Sequence, residues 1–100
     1  MEDFALHVEP DAARPVVVLS GEVDLATSAE VRACAETLVA GGARHLTFDF
    51  SAVTFCDSTG LAVLAGLMQR DIAVSVRAPS ERVALVLRVS GLDEALCAET

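Results

Sequence analysis

From Val16 onward the apolar residues of this 100-residue chain switch repeatedly between a period of two and a period near 3.6. That switching restricts the chain to a sheet whose parallel strands are joined by helices. Val16-Val17-Val18-Leu19, bounded by Pro15 and Gly21, is a β-branched run of strand length and is expected at the sheet centre. Ahead of it Phe4, Leu6 and Val8 alternate as a short half-buried strand, and Pro10 with Asp11 marks the turn between the two.

Thr27 with Glu30 forms a capping-box pattern, after which Val31, Cys34 or Ala35, and Leu38 recur at helical spacing until Gly41-Gly42. Arg44 to Phe50 then sets Leu46, Phe48 and Phe50 on one face of a strand and Thr47 and Asp49 on the other. A loop is expected over residues 51–56. Leu61, Leu64, Leu67 and Met68 mark a second helix running to Arg70, and Ile72, Val74 and Val76 alternate as another strand. Pro79-Ser80 opens a third helix carrying Val83, Val86 and Leu87, Gly91 ends it, and Leu92 to Thr100 reads as a short terminal turn or helix. The order ββαβαβα predicts a single α/β domain over residues 1–100, with a mostly parallel four-stranded sheet, right-handed crossovers and an antiparallel N-terminal strand.

With 53% hydrophobic residues the chain can fill a core without staples. Its longest apolar stretches, such as Val16–Leu19 and Leu61–Met68, fall short of the roughly 20 residues a membrane span needs. Glu2 and Asp3 stand where a signal peptide would carry positive charge, so a cytoplasmic location is expected. Fifteen acidic residues against seven arginines and no lysine give a net charge of −8, which disfavours nucleic acid and anionic lipid and calls for a partner that is neutral or basic where it touches. Cys34, Cys56 and Cys97 have no CxxC spacing and are odd in number, as expected of reduced core thiols.

In such a sheet, function gathers where the parallel strands hand over to helix N-termini. Two loops qualify here: Ser20-Gly21-Glu22-Val23-Asp24 and Cys56-Asp57-Ser58-Thr59-Gly60. If their strands are neighbours, Asp24 approaches Ser58. Serine at a helix N-cap is by itself a structural choice. The same position offers a phosphate free backbone N–H groups and the positive end of the helix dipole. Asp57 reads as a cap, as a partner for a basic residue, or as a polar loop residue, and Gly60 as a point of close approach for another chain or as relief of packing against the sheet.

These segments carry a family resemblance. Leu19-Ser20-Gly21-Glu22-Val23-Asp24-Leu25-Ala26-Thr27 resembles the first signature of the STAS domains, and Phe48 through Leu61, with Asp57-Ser58-Thr59-Gly60-Leu61, resembles the phosphorylation motif of the bacterial anti-sigma factor antagonists among them. Ala78-Pro79-Ser80 through Val89-Ser90-Gly91-Leu92 is similar to that family's last helix and its ending. Val23, Thr59 and Ala62 depart mildly from the usual pattern.

The resemblance implies a non-catalytic regulator in which Ser58 accepts phosphate, with Thr59 a secondary candidate, and in which Glu22, Asp24, Asp57, Ser58, Thr59 and Gly60 meet the partner. It further implies partner switching. The unmodified chain binds an anti-sigma factor that is also a serine kinase and frees the sigma factor, phosphorylation releases the antagonist, and a PP2C-type phosphatase resets it. ATP and magnesium then belong to the partner, and this chain needs no cofactor.

Other classes fare less well on the residues. Serine hydrolysis needs a base, but His7 and His45 sit in no partner motif and no G-x-S-x-G surrounds Ser58. Asp49 at a strand end invites comparison with phosphoaspartate receivers, which also require a lysine. There is no G-x-x-x-x-G-K-[ST] loop for a nucleotide. A STAS module with another task, as a stressosome-type scaffold, a lipid-transport subunit or a nucleotide sensor, stays open.

Overall fold

Each change of hydrophobic period in the sequence becomes a change of element in the computed structural model, which describes residues 3–9 and 14–97. The elements are β1 (Ala5–Glu9), β2 (Val16–Val23), α1 (Leu25–Ala40), β3 (His45–Cys56), α2 (Ser58–Gln69), β4 (Ala73–Arg77), α3 (Glu81–Val89) and α4 (Asp93–Cys97). The strands lie in the order β1-β2-β3-β4, with β1 antiparallel to β2 and the rest parallel. This is the expected α/β architecture, ending in a short helix. The turn expected at Pro10 and Asp11 lies outside the described residues, as does the side chain of Cys97.

The crossovers β2-α1-β3 and β3-α2-β4 step in the same direction, so right-handedness sets α1 and α2 side by side on one face of the sheet. An ion pair between Arg70 and Glu36 ties the two helices at the surface. Val17 and Leu19 of β2, Leu46, Phe48 and Phe50 of β3, and Val74 and Val76 of β4 form a single core with Val31, Ala35, Val63, Leu64 and Leu67 of the helices. Val83 and Leu87 of α3 and Leu92 and Ala95 near the C-terminus join it. On the other face, two pairs of polar side chains link β3 to β4. Ser75 Oγ lies 2.8 Å from His45 Nε2, and Arg77 donates from Nε and Nη2 to one oxygen of Asp49, at 3.2 and 2.9 Å.

Both inner parallel strands run further than expected. Residues 51–56 are strand, and Ser20 to Val23 belong to β2. The register shows why alternation failed to reveal it: Val18 pairs with Asp49 but Ser20 with Ala52, and Gly21 pairs with Val53 but Glu22 with Phe55. Each step inserts one extra residue into β3, a bulge that re-aims the side chains beyond it. The inward positions therefore become Phe50, Val53 and Cys56, three residues apart instead of two. Asp49 supports the first bulge by accepting a hydrogen bond from the Ser51 N–H at 2.9 Å.

Gly21 has a local explanation as well. Its φ of +89° is a left-handed conformation that favours glycine, and a Cβ there would stand 2.8 Å from the Asp3 carbonyl oxygen. The backbone leading into β1 passes directly over it.

Candidate functional site

The end of the β2–β3 ladder sets the geometry of this region. Val23 pairs with Cys56, and the Asp57 N–H donates to the Val23 carbonyl at 3.0 Å. The residue that follows β2 is Asp24, so two aspartates stand at adjacent strand ends, each opening a helix.

Asp24 is extended (φ −128°, ψ −167°) and caps α1, its Oδ1 accepting from the Ala26 and Thr27 N–H groups at 3.1 Å each. Thr27 Oγ1 accepts from the Asp24 N–H at 2.8 Å, completing a reciprocal capping box. The box therefore lies three residues earlier than the Thr27–Glu30 pairing expected from the sequence. The apolar stripe starts only at Val31, whereas the first turn of α1 buries little besides Ser28, so periodicity does not mark the true start.

Asp57, also extended (φ −95°, ψ −173°), caps α2. Its Oδ1 accepts from the Thr59 N–H at 2.9 Å, from the Gly60 N–H at 3.3 Å and from the Thr59 hydroxyl at 2.5 Å. The Thr59 hydroxyl foremost, and then the two backbone N–H groups, hold the Asp57 carboxyl below the usual aspartate range. The capping role thus belongs to Asp57, and Ser58 is the first residue of the helix, exposed, with no hydrogen bond from its hydroxyl to the described residues. The expectation that a phosphate at Ser58 would meet free N–H groups changes accordingly, because those of Thr59 and Gly60 are already bonded to Asp57. A carboxylate also already occupies the positive end of the helix dipole.

The remaining candidates fall into two groups. Glu22 is exposed on β2 opposite Phe55, and Thr59 is half-buried. Gly60 is buried, and a Cβ there would lie 2.7 Å from both Cys56 Sγ and Val23 Cγ1, so close packing of α2 on the sheet accounts for the glycine. Burial, with the neighbouring Asp57 charge, pushes the Cys56 thiol up to about 11. Two apolar residues absent from the sequence-based candidates also lie here: Leu25, 74% exposed at the first position of α1, and Phe55, 43% exposed at the end of β3. Leu25 was detectable as a large apolar residue immediately after a capping aspartate. Phe55 was hidden by the bulges.

Neither histidine is placed to serve Ser58. His45 begins β3, at the far end of that strand, and His7 lies on β1 across from Val18, its Nε2 3.8 Å from Glu9. Among the described residues no cluster of three His, Cys, Asp or Glu side chains could hold a metal ion. A surface depression of about 390 Å³, lined in part by Arg44, Asp71 and Glu94, lies at the opposite end of the sheet. No helix among the described residues is long and apolar enough to cross a membrane.

Fold and site together define a small α/β domain whose outstanding feature is a pair of aspartate-capped helices at adjacent strand ends. The chain belongs to the STAS-domain family: the family model described as Mlab, STAS domain matches residues 6–98. Among solved structures it is similar to the anti-sigma factor antagonist SpoIIAA in its unphosphorylated form, with a TM-score of 0.79 and 26% identity over 88% of this chain and 82% of that one. It is similar to an anti-sigma factor antagonist from Mycobacterium paratuberculosis (TM-score 0.75, 30% identity, 92% of this chain and 81% of that one). A third similar structure is the Bacillus cell fate determinant SpoIIAA in its phosphorylated form (TM-score 0.72, 26% identity, 88% and 85%). No curated protein matches the chain.

Proposed function

We propose that this chain, acting as one STAS domain over residues 1–100, is an anti-sigma factor antagonist controlled by phosphorylation of Ser58. The observation that carries the reading is the exposed Ser58 hydroxyl on the first turn of α2, directly after its Asp57 cap and without a hydrogen-bond partner among the described residues. Similarity to an antagonist known in unphosphorylated and phosphorylated forms supports it. In the unmodified state the surface formed by Glu22, Asp24, Asp57, Ser58 and Thr59, with the buried Gly60 seating α2 beneath it, binds an anti-sigma factor that is also a serine kinase, and the sigma factor is freed. The setting is the cytoplasm, where transcription takes place.

Phosphorylation adds about −1.5 to −2 charges beside Asp57 and near Asp24 and Glu22. Like charges concentrated at one edge repel acidic groups on the partner, and the added phosphate obstructs close approach. The local surface changes more than the fold. ATP and magnesium come from the kinase, and a PP2C-type phosphatase restores the hydroxyl. Incubation with ATP, magnesium and the cognate kinase, followed by mass spectrometry, is expected to locate phosphate on Ser58. A kinase active on a control substrate that leaves Ser58 bare would remove the basis of the proposal.

The family model's own description favours a second reading, since it names Mlab and not an anti-sigma factor antagonist. On that reading the same edge binds a subunit of another complex and Ser58 is only a contact.

A further inference from the structure

Two hydroxyls stand next to each other at the start of α2, and their surroundings differ. Ser58 is exposed and its hydroxyl has no partner among the described residues. Thr59 is half-buried, its Oγ1 2.5 Å from Asp57 Oδ1 while its backbone N–H donates to the same oxygen at 2.9 Å. Side chain and backbone of Thr59 are thus held by one atom. Asp57 is itself anchored, because its N–H continues the β2–β3 ladder to Val23 and its carbonyl accepts from the Leu61 N–H at 3.1 Å.

We infer that Asp57 is a specificity-determining positioning residue: by engaging the Thr59 hydroxyl it withdraws that group from phosphoryl transfer and leaves Ser58 as the sole acceptor. The inference rests on the phospho-switch reading above. In the transfer the bond from the acceptor oxygen to the γ-phosphorus of ATP forms as the bond from that phosphorus to the β,γ-bridging oxygen breaks. ADP leaves with the electron pair, and the hydroxyl proton passes to a base on the kinase. The acceptor oxygen must therefore turn outward, in line with the leaving oxygen. Ser58 does so by rotating one bond. Thr59 must first give up a charge-assisted hydrogen bond, and its oxygen would meet the anionic γ-phosphate beside the Asp57 carboxylate.

Asp57→Gly releases Thr59 at little cost to the helix, because glycine is itself a tolerated N-cap. Wild-type protein treated with ATP, magnesium and the cognate kinase should carry phosphate on Ser58 alone. In Asp57→Gly the phosphate on Thr59 should rise by at least about tenfold, the scale set by freeing a hydroxyl from a charged acceptor, while phosphate on Ser58 reports that the kinase still engages. Ser58 modified and Thr59 bare in that variant would overturn the inference, as would comparable phosphate on both residues of the wild type. Phosphate on neither residue of the wild type would overturn the underlying switch as well. A kinase-free measurement covers loss of engagement by the variant: three-bond NMR couplings of Thr59 should report one χ1 rotamer in the wild type and averaging in Asp57→Gly. Averaging already present in the wild type would refute the inference.

Discussion

Gly60→Ala is the most direct probe of how α2 is seated on the sheet, and its effect can be worked from the packing. A Cβ at residue 60 would lie 2.7 Å from Cys56 Sγ and 2.7 Å from Val23 Cγ1, whereas unstrained heavy-atom contacts fall at about 3.5–4.0 Å. Both neighbours are buried, with 6% and 2% of their surface exposed, so neither has room to withdraw. Overpacking of this kind costs about 1–3 kcal/mol, against which alanine regains up to about 1 kcal/mol of helix propensity. The net expectation is a loss of about 1–2 kcal/mol, and for a domain of this size the melting temperature falls by about 4–8 °C for each of those. The assay is urea or thermal unfolding of parent, Gly60→Ala, Cys56→Ala and the double variant. Removing Sγ deletes one of the two clashes, so the Gly60→Ala penalty should shrink by about half in the Cys56→Ala background, a coupling expected of touching residues. A Gly60→Ala protein as stable as the parent, or an undiminished penalty without Cys56 Sγ, would refute the packing argument.

Gly21→Ala should destabilise by about 1–2 kcal/mol from the left-handed backbone alone, with further loss as β1 is displaced, measured by chemical unfolding. Asp24→Ala removes the acceptor of two backbone N–H groups and should cost about 1 kcal/mol in the same assay. For Asp49, burial pushes the pKa up, but the hydrogen bonds from Ser51 and the Arg77 guanidinium outweigh it and hold the folded-state value below the ordinary 3.8. A lowered folded pKa stabilises fully above the unfolded value, and that stabilisation is lost as pH falls through the folded one. Asp49→Asn should accordingly flatten the stability curve below about pH 4 in an acid titration of unfolding. With its thiol pushed up to about 11, Cys56 should resist iodoacetamide at pH 8 in the native protein and react once the chain is unfolded, as mapped by mass spectrometry.

The regular part of this fold was legible because burial on one face writes a clear period. Leu46, Phe48 and Phe50 announce a strand, and Val83, Val86 and Leu87 a helix. Legibility ended where two bulges change the inward spacing from two residues to three. Phe50, Val53 and Cys56 then match no strand template, and the second half of β3 reads as a loop. The helix starts were misplaced for a related reason. A cap is a local contest among Asp, Ser and Thr, and the strand ends at Val23 and Cys56 decide it in favour of the first polar residue beyond each, Asp24 and Asp57. The strand ends that carry both aspartates and Ser58 were legible as a region, because those residues follow directly on the parallel strands. What the linear pattern did not contain was the difference between the two neighbouring hydroxyls, Thr59 being held by one carboxylate oxygen of Asp57 while Ser58 is exposed.

The central claim is that charge at Ser58 controls partner binding, and isothermal titration of the cognate anti-sigma factor tests it most directly. The titrants are the unmodified chain, the chain fully phosphorylated at Ser58, and Ser58→Ala. The unmodified chain and Ser58→Ala should bind with similar affinity, and the phosphorylated chain at least about tenfold more weakly, the effect of about 1.4 kcal/mol of repulsion and steric conflict. Equal affinity of the phosphorylated and unmodified chains would contradict the account.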